Sequence, residues 1–353
     1  MKTGDFGIAA GSSLDRLLKT LRFERTDRVP NWELGIEART VERLVGKKLK
    51  SAALPVPDMV ELALQTGMDA IFSPTPRASG DLRGLGETWR REEDGSDTYL
   101  DGGVKSREDL ARFDLNALGQ QWLVRAESFM DECLQATRGT GLGVAGRVDG
   151  PFWLAQLSMG LENSLVAMVE NPDLVASIMD FYAGYQREVA RSIVKKGLPL
   201  VLAADDLAHT AGLLVSPAWL ERYWFPRMQM ILEPLAAAGV PCVFHSCGKL
   251  EQVIPFLLRL RCAAVQALQP SCNDIYDVRR RYRKQIALMG NIDITFPLSK
   301  GTPEDVRRDV VEHLDRLAPE GGYIVSSSHS VLNSVPPENY IAMVKATQEW
   351  RPK

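Results

Sequence analysis

Short apolar runs alternate with long amphipathic segments along almost the whole chain, and this alternation is what most limits the fold. The runs are Val29–Leu34, Asp69–Phe72, Leu142–Val148, Leu200–Ala204, Cys242–His245, Ala263–Ala267, Ile286–Met289 and Tyr323–Val325. None keeps a polar residue at every second position. That pattern suits strands covered on both faces, as in a parallel sheet. The segments between them have helical spacing: Asp58–Gln65, Gln120–Thr137, Pro172–Lys196, Pro217–Ala238, Leu250–Leu260, Ile275–Tyr282, Pro303–Leu317 and Pro336–Trp350. Pro172 and Pro303 suit first turns, and Gly67, Gly197 and Gly239 suit helix stops. Eight strands alternating with helices predict a (β/α)8 TIM barrel, with a doubly wound open sheet as the alternative. We expect one domain over residues 1–353, with residues 1–22 a short N-terminal helical extension whose helix Ser13 caps. A hairpin insertion over Glu87–Tyr99, turning at Asp94-Gly95, follows strand 2.

Composition excludes several classes. With 42 Lys+Arg against 45 Asp+Glu, the net charge of −3 gives no support to bulk nucleic-acid binding. No apolar stretch reaches the roughly 20 residues a membrane span needs. Five scattered cysteines and no apolar leader predict a cytoplasmic protein with reduced thiols. Arg279-Arg280-Arg281 reads as a solvated helix end. Trp219, Tyr223, Trp224 and Phe225 read as core or as the face of a homodimer.

In a barrel the chemistry belongs just past the C-terminal ends of the strands. Those positions hold Glu33, Thr75, Arg77, Asp149, Asp205, Asp206, His245, Cys247, Gln269, Asn291, Asp293 and His329. The most specific signal is His245-Ser246-Cys247-Gly248. Residues i and i+2 of an extended segment share a face, so both side chains aim into the mouth about 6–7 Å apart along the strand. That is compatible with two ligands on one Zn²⁺; the alternative is a buried histidine beside a buried thiol. Asp205 and Asp206 alternate in direction, so only one faces the mouth. Arg77, Asp149, Gln269 and Asp293 are candidate substrate contacts.

These stretches resemble the uroporphyrinogen decarboxylase superfamily. The resemblance runs from Phe23-Glu24-Arg25 to the end. It is carried by His245-Ser246-Cys247-Gly248, Met289-Gly290-Asn291-Ile292-Asp293 and the segment from Gly321-Gly322-Tyr323 to Pro336-Pro337-Glu338-Asn339. It implies a (β/α)8 barrel. True decarboxylases carry an early Arg-Gln-Ala-Gly-Arg for their polyanionic tetrapyrrole, whereas this chain has Asn31-Trp32-Glu33-Leu34-Gly35. The chain is more similar to the zinc-dependent, corrinoid-linked methyltransferases. Those pair His-x-Cys with a third cysteine nine residues before a Glu-Asn pair, and here that place holds His329. The resemblance therefore implies a zinc set of Glu33, His245, Cys247 and His329.

Imidazole in place of a thiolate makes zinc a stronger Lewis acid. We therefore expect a methyl ether, aromatic for example, to give its methyl to Co(I) of a corrinoid. Asp205 or Asp206 would orient the substrate or manage a proton, and Asn291 would bond a substrate oxygen. None of the four histidines lies in an Asp-x-His-x-x-Gly pattern, so the cobalamin is expected on a partner corrinoid protein. The alternatives are a corrinoid-dependent thiol methyltransferase, a metal-independent decarboxylase of a small carboxylate or tetrapyrrole, and a non-catalytic binding protein.

Overall fold

A computed structural model describes residues 12–49, 54–76, 84–93 and 97–352. The strands are β1 (Ala70–Phe72), β2 (Thr88–Arg91), β3 (Asp97–Asp101), β4 (Gly143–Asp149), β5 (Leu200–Ala204), β6 (Ala208–His209), β7 (Gly212–Leu213), β8 (Cys242–His245), β9 (Ala264–Gln266), β10 (Ala287–Met289) and β11 (Tyr323–Ile324). Seven of them form one sheet in the order β1-β4-β5-β8-β9-β10-β11, every pair parallel. The first expected strand, Val29–Leu34, contributes one parallel bridge between Asn31 and Val325.

That segment still joins the sheet's two edges. Trp32 N donates to Val325 O, Val325 N donates to Pro30 O, and Asp69 N donates to Asn31 O. The ladder is broken for two local reasons. Pro30 has no N–H, and Asn31 N donates to the Asp69 carboxylate (2.8 Å) instead of to backbone. Asp69 is fully buried and also takes Arg16 and Arg28. One carboxylate thus ties the N-terminal helix, the first segment and β1 together at the base of the barrel. The helix Ser13–Leu21 is capped by Ser12, one residue earlier than the sequence suggests: Ser12 Oγ accepts from Asp15 N at 3.2 Å.

Two layers of apolar residues result. Ala145, Leu200, Leu202, Val243, Ala264, Ala287, Met289 and Ile324 fill the inside of the sheet, with Leu17 and Leu21 of the N-terminal helix packed against them. The alternate residues, such as Val144, Val201, Phe244 and Val265, pack against the surrounding helices. This two-sided burial is why no polar alternation shows in the sequence.

The hairpin forms as β2 against β3, with Trp89 edge-on to Tyr99 (5.1 Å between ring centres). Its Asp94-Gly95 turn lies outside the described residues. Tyr99 Oη donates to Leu157 O at 2.8 Å, which holds the hairpin on the helix Pro151–Met159. That helix and Leu161–Glu170 were not foreseen. The first is buried all round, so it carries no amphipathic stripe to read. Arg279 is buried, not solvated: it donates to the carbonyls of Arg283, Gly321 and Gly322. Trp224 belongs to the core, with no exposed surface. Among the described residues no helix is long and apolar enough to cross a membrane.

Candidate functional site

The sheet register fixes which side chains meet at the C-terminal rim. Asp149, Ala204, His245 and Gln266 stand side by side on β4, β5, β8 and β9. Two residues lower, Arg147, Leu202, Val243, Ala264 and Ala287 form the next inward row.

His245 is buried and flanked by three polar groups. Its Nδ1 contacts Gln266 Oε1. With a carbonyl oxygen there, Nδ1 carries the proton and Nε2 keeps its lone pair. Cys247 Sγ lies 3.6 Å from Nε2, and Asp206 Oδ1 lies 3.5 Å from it. Asp206 Oδ1 also accepts from Cys247 N at 2.9 Å. One ligand atom from each of Asp206, His245 and Cys247 lies within 4.8 Å of the others. Burial lowers the proton affinity of the His245 imidazole, so the ring is neutral. Burial, with Asp206 beside it, raises the pKa of the Cys247 thiol. A divalent ion would reverse that preference, because a coordinating thiol is deprotonated.

The turn that aims Cys247 is clamped from the next loop. Gly248 N donates to Gln269 Oε1 (2.7 Å), Asn273 Nδ2 to Gly248 O (2.8 Å), and Leu250 N to Asn273 Oδ1 (2.8 Å). Gly248 has φ +83°, and a Cβ there would sit 2.5 Å from the Ala208 carbonyl. Gln269 therefore supports this turn, where the sequence suggested a substrate contact.

The two aspartates diverge as strand alternation requires. Asp206 faces His245. Asp205 turns back to the start of the helix Pro151–Met159, accepting from Trp153 N (2.7 Å), Phe152 N (3.3 Å) and Trp224 Nε1 (2.8 Å). Burial nevertheless pushes its carboxyl up to about 7.

Among the described residues, neither Glu33 nor His329 belongs to the group of three. Glu33 is buried against the last strand's exit. It accepts from Ser326 Oγ (3.1 Å), Ser327 N (3.1 Å) and Ser327 Oγ (2.6 Å). Burial raises its pKa to about 7. Here Glu33 fastens the first segment to the last strand. The His329 ring disfavours protonation of His245, and its Nδ1 is buried without a hydrogen-bond partner among the described residues.

The remaining candidates are spread around the rim. Asn291 donates to Leu268 O (2.5 Å) and its Oδ1 meets His313 Nε2 (3.0 Å), so its amide is engaged within the protein. Asp293 Oδ1 accepts from Thr295 N (2.8 Å), capping the next turn. Asp149 pairs with Arg147 Nε at 2.9 Å. It borders a small cavity with Thr75, Trp122, Tyr182, Tyr185 and Gln186. Arg77 lies outside the described residues. Sequence reasoning missed Gln266 and Arg147. Both lie inside apolar runs, and only the strand register shows that they point inward at the rim.

Comparison with known proteins identifies the family. A methylcobamide:CoM methyltransferase, MtbA, of Methanosarcina mazei is 26% identical over 253 residues, 70% of each chain. A uroporphyrinogen decarboxylase of Citrifermentans bemidjiense is 27% identical over 179 residues, 50% of this chain and 49% of that one. The fold matches a solved methyltransferase from Methanosarcina mazei with TM-score 0.71 and 19% identity, covering 96% of this chain and 98% of the other. The uroporphyrinogen decarboxylase (URO-D) family matches residues 12–350. The chain belongs to that family.

Proposed function

We propose that the protein is a zinc-dependent methyltransferase that moves a methyl group from a methyl ether, such as a methoxylated aromatic, to the Co(I) of a corrinoid protein. The observation that carries this reading is the convergence of Asp206, His245 and Cys247, with Gln266 holding the imidazole so that Nε2 is free. The relatedness to a methylcobamide:CoM methyltransferase supports methyl transfer involving a corrinoid.

The donor set suits zinc: one thiolate, one imidazole and one carboxylate are all accepted zinc ligands. His329, whose buried Nδ1 has no partner among the described residues, is the fourth donor in this reading. Glu33 is not, because its carboxylate already takes the Ser326 and Ser327 donors. When bound in such a site, zinc supplies Lewis acidity to a leaving oxygen. The chain's residues do the rest. Gln266 fixes the tautomer and plane of His245. Asp206 holds the backbone of Cys247 in place. The clamp of Gln269 and Asn273 on Gly248 keeps the thiol aimed into the mouth. The corrinoid partner docks over that mouth, and the protein works in the cytoplasm.

The test mixes the zinc-loaded protein with cob(I)alamin and a panel of methoxylated aromatics and follows methylcobalamin by its absorption. Methylcobalamin formed from an ether supports the reading. A second reading, corrinoid-dependent methylation of a small thiol, is favoured by the relatedness to a methylcobamide:CoM methyltransferase. Thioether formation from methylcobalamin, with no reaction of any ether, would establish that direction and overturn ours.

A further inference from the structure

We propose that Arg147 is the anchor for an organic anion at the floor of the barrel mouth, so that the small-molecule substrate carries a carboxylate or sulfonate. This rests on the reading of the rim as a methyl-transfer site and names the substrate class that the site would take.

Arg147 is an unusual residue for its place. It stands on β4 in the inward row with Leu202, Val243, Ala264 and Ala287, one row below Asp149, Ala204, His245 and Gln266. Barrel interiors are filled by apolar side chains in stacked layers. Here a guanidinium interrupts the layer, and the same row carries the small side chains of Ala264 and Ala287. Its Nε is taken by Asp149 Oδ1 at 2.9 Å, and its charged carbon lies 5.4 Å from the centre of the Phe72 ring. Among the described residues, its two terminal nitrogens make no hydrogen bond to protein.

The side chain is 23% exposed, while Asp149 is 8% exposed, so the free end of the fork faces the opening. Two parallel N–H donors on a planar cation match the two oxygens of a carboxylate or two of a sulfonate. Arg147 stands in the inward row directly beneath the row that holds His245 and Gln266, two strands away from His245 in the same sheet, so the anchor lies below the Asp206–His245–Cys247 group.

Two kinds of anion share this chemistry: an aromatic ether acid and a small thiol acid. Equilibrium binding to the full chain, read by calorimetry without any corrinoid, separates them. The probes are 3-methoxybenzoate with its neutral amide, and 3-mercaptopropionate with its neutral amide. The expected result is preference for one acid over its amide. Arg147→Met should weaken that acid by about thirtyfold while leaving the amide unchanged, the scale of a charge-assisted pair. Arg147→Lys should restore part of the loss. Because Arg147→Met leaves Asp149 unpaired, the double variant Arg147→Met/Asp149→Asn is measured as well, and it should show the same loss.

The proposal is overturned if neither acid binds better than its amide, or if both variants bind the acid as tightly as the native chain. It is also overturned if a chelator alone abolishes the preference while Arg147→Met preserves it, since the anion would then be held by metal. Arg147-dependent binding of an acid without methyl transfer to cob(I)alamin would uphold the anchor and remove the demethylase reading.

Discussion

Glu33 offers a decisive perturbation, because its two possible roles predict opposite pH behaviour. As a metal ligand it would be an anion beside a cation, with its pKa held down. Among the described residues no protein cation pairs with it, and burial raises its carboxyl from 4.5 to about 7. Between those values the folded chain holds a proton that the unfolded chain has released. Stability must therefore fall as pH rises from about 4.5 through 7, and then level off. Two and a half pH units at about 1.4 kcal/mol each give roughly 3.5 kcal/mol for the full decline, an order-of-magnitude figure. Glu33→Gln removes this titration and retains an acceptor for the Ser326 and Ser327 donors. Urea denaturation of both proteins from pH 5 to pH 8 is the assay. The variant should gain on the native chain as pH rises, most of the gain arriving by pH 7.5. A difference that stays flat, or that reverses sign, would refute the assignment and return Glu33 to the company of a cation.

Other outcomes follow from the same geometry. Gln266→Leu leaves His245 Nδ1 without its acceptor, and zinc affinity measured by competition with a chelator should fall about 10–100-fold. Gly248→Ala places a Cβ 2.5 Å from the Ala208 carbonyl at φ +83°. Thermal unfolding should show a loss of roughly 1–3 kcal/mol. Trp224→Phe removes the 2.8 Å donor from the buried Asp205 carboxyl. The expected cost is about 1–3 kcal/mol in urea unfolding, with zinc content unchanged. An equal loss of zinc in that variant would place Asp205 in the metal group.

The strands were legible because two-sided burial writes itself as short uninterrupted apolar runs, and seven of the eight expected runs are strands of the sheet. The Val29–Leu34 run misled because its ladder is replaced by a proline and by the Asp69 carboxylate, a contact 38 residues away in sequence. His245 and Cys247 were legible as a pair since one strand carries both. Their third neighbour, Asp206, was known only as one of two adjacent acids, and the backbone donors of a neighbouring helix decide that Asp205 is the one turned away. Gln266 and Arg147 look like interruptions in apolar runs. Their importance lies in which residues of other strands stand beside them, and no single stretch of sequence encodes that.

The most direct test of the metal centre is elemental analysis of the purified protein beside its Cys247→Ala and Glu33→Gln variants. With Asp206, His245 and Cys247 as the holding group, the native chain and Glu33→Gln should each carry about one zinc, and Cys247→Ala should carry almost none. Full zinc in Cys247→Ala, or its loss in Glu33→Gln, would contradict the site described above.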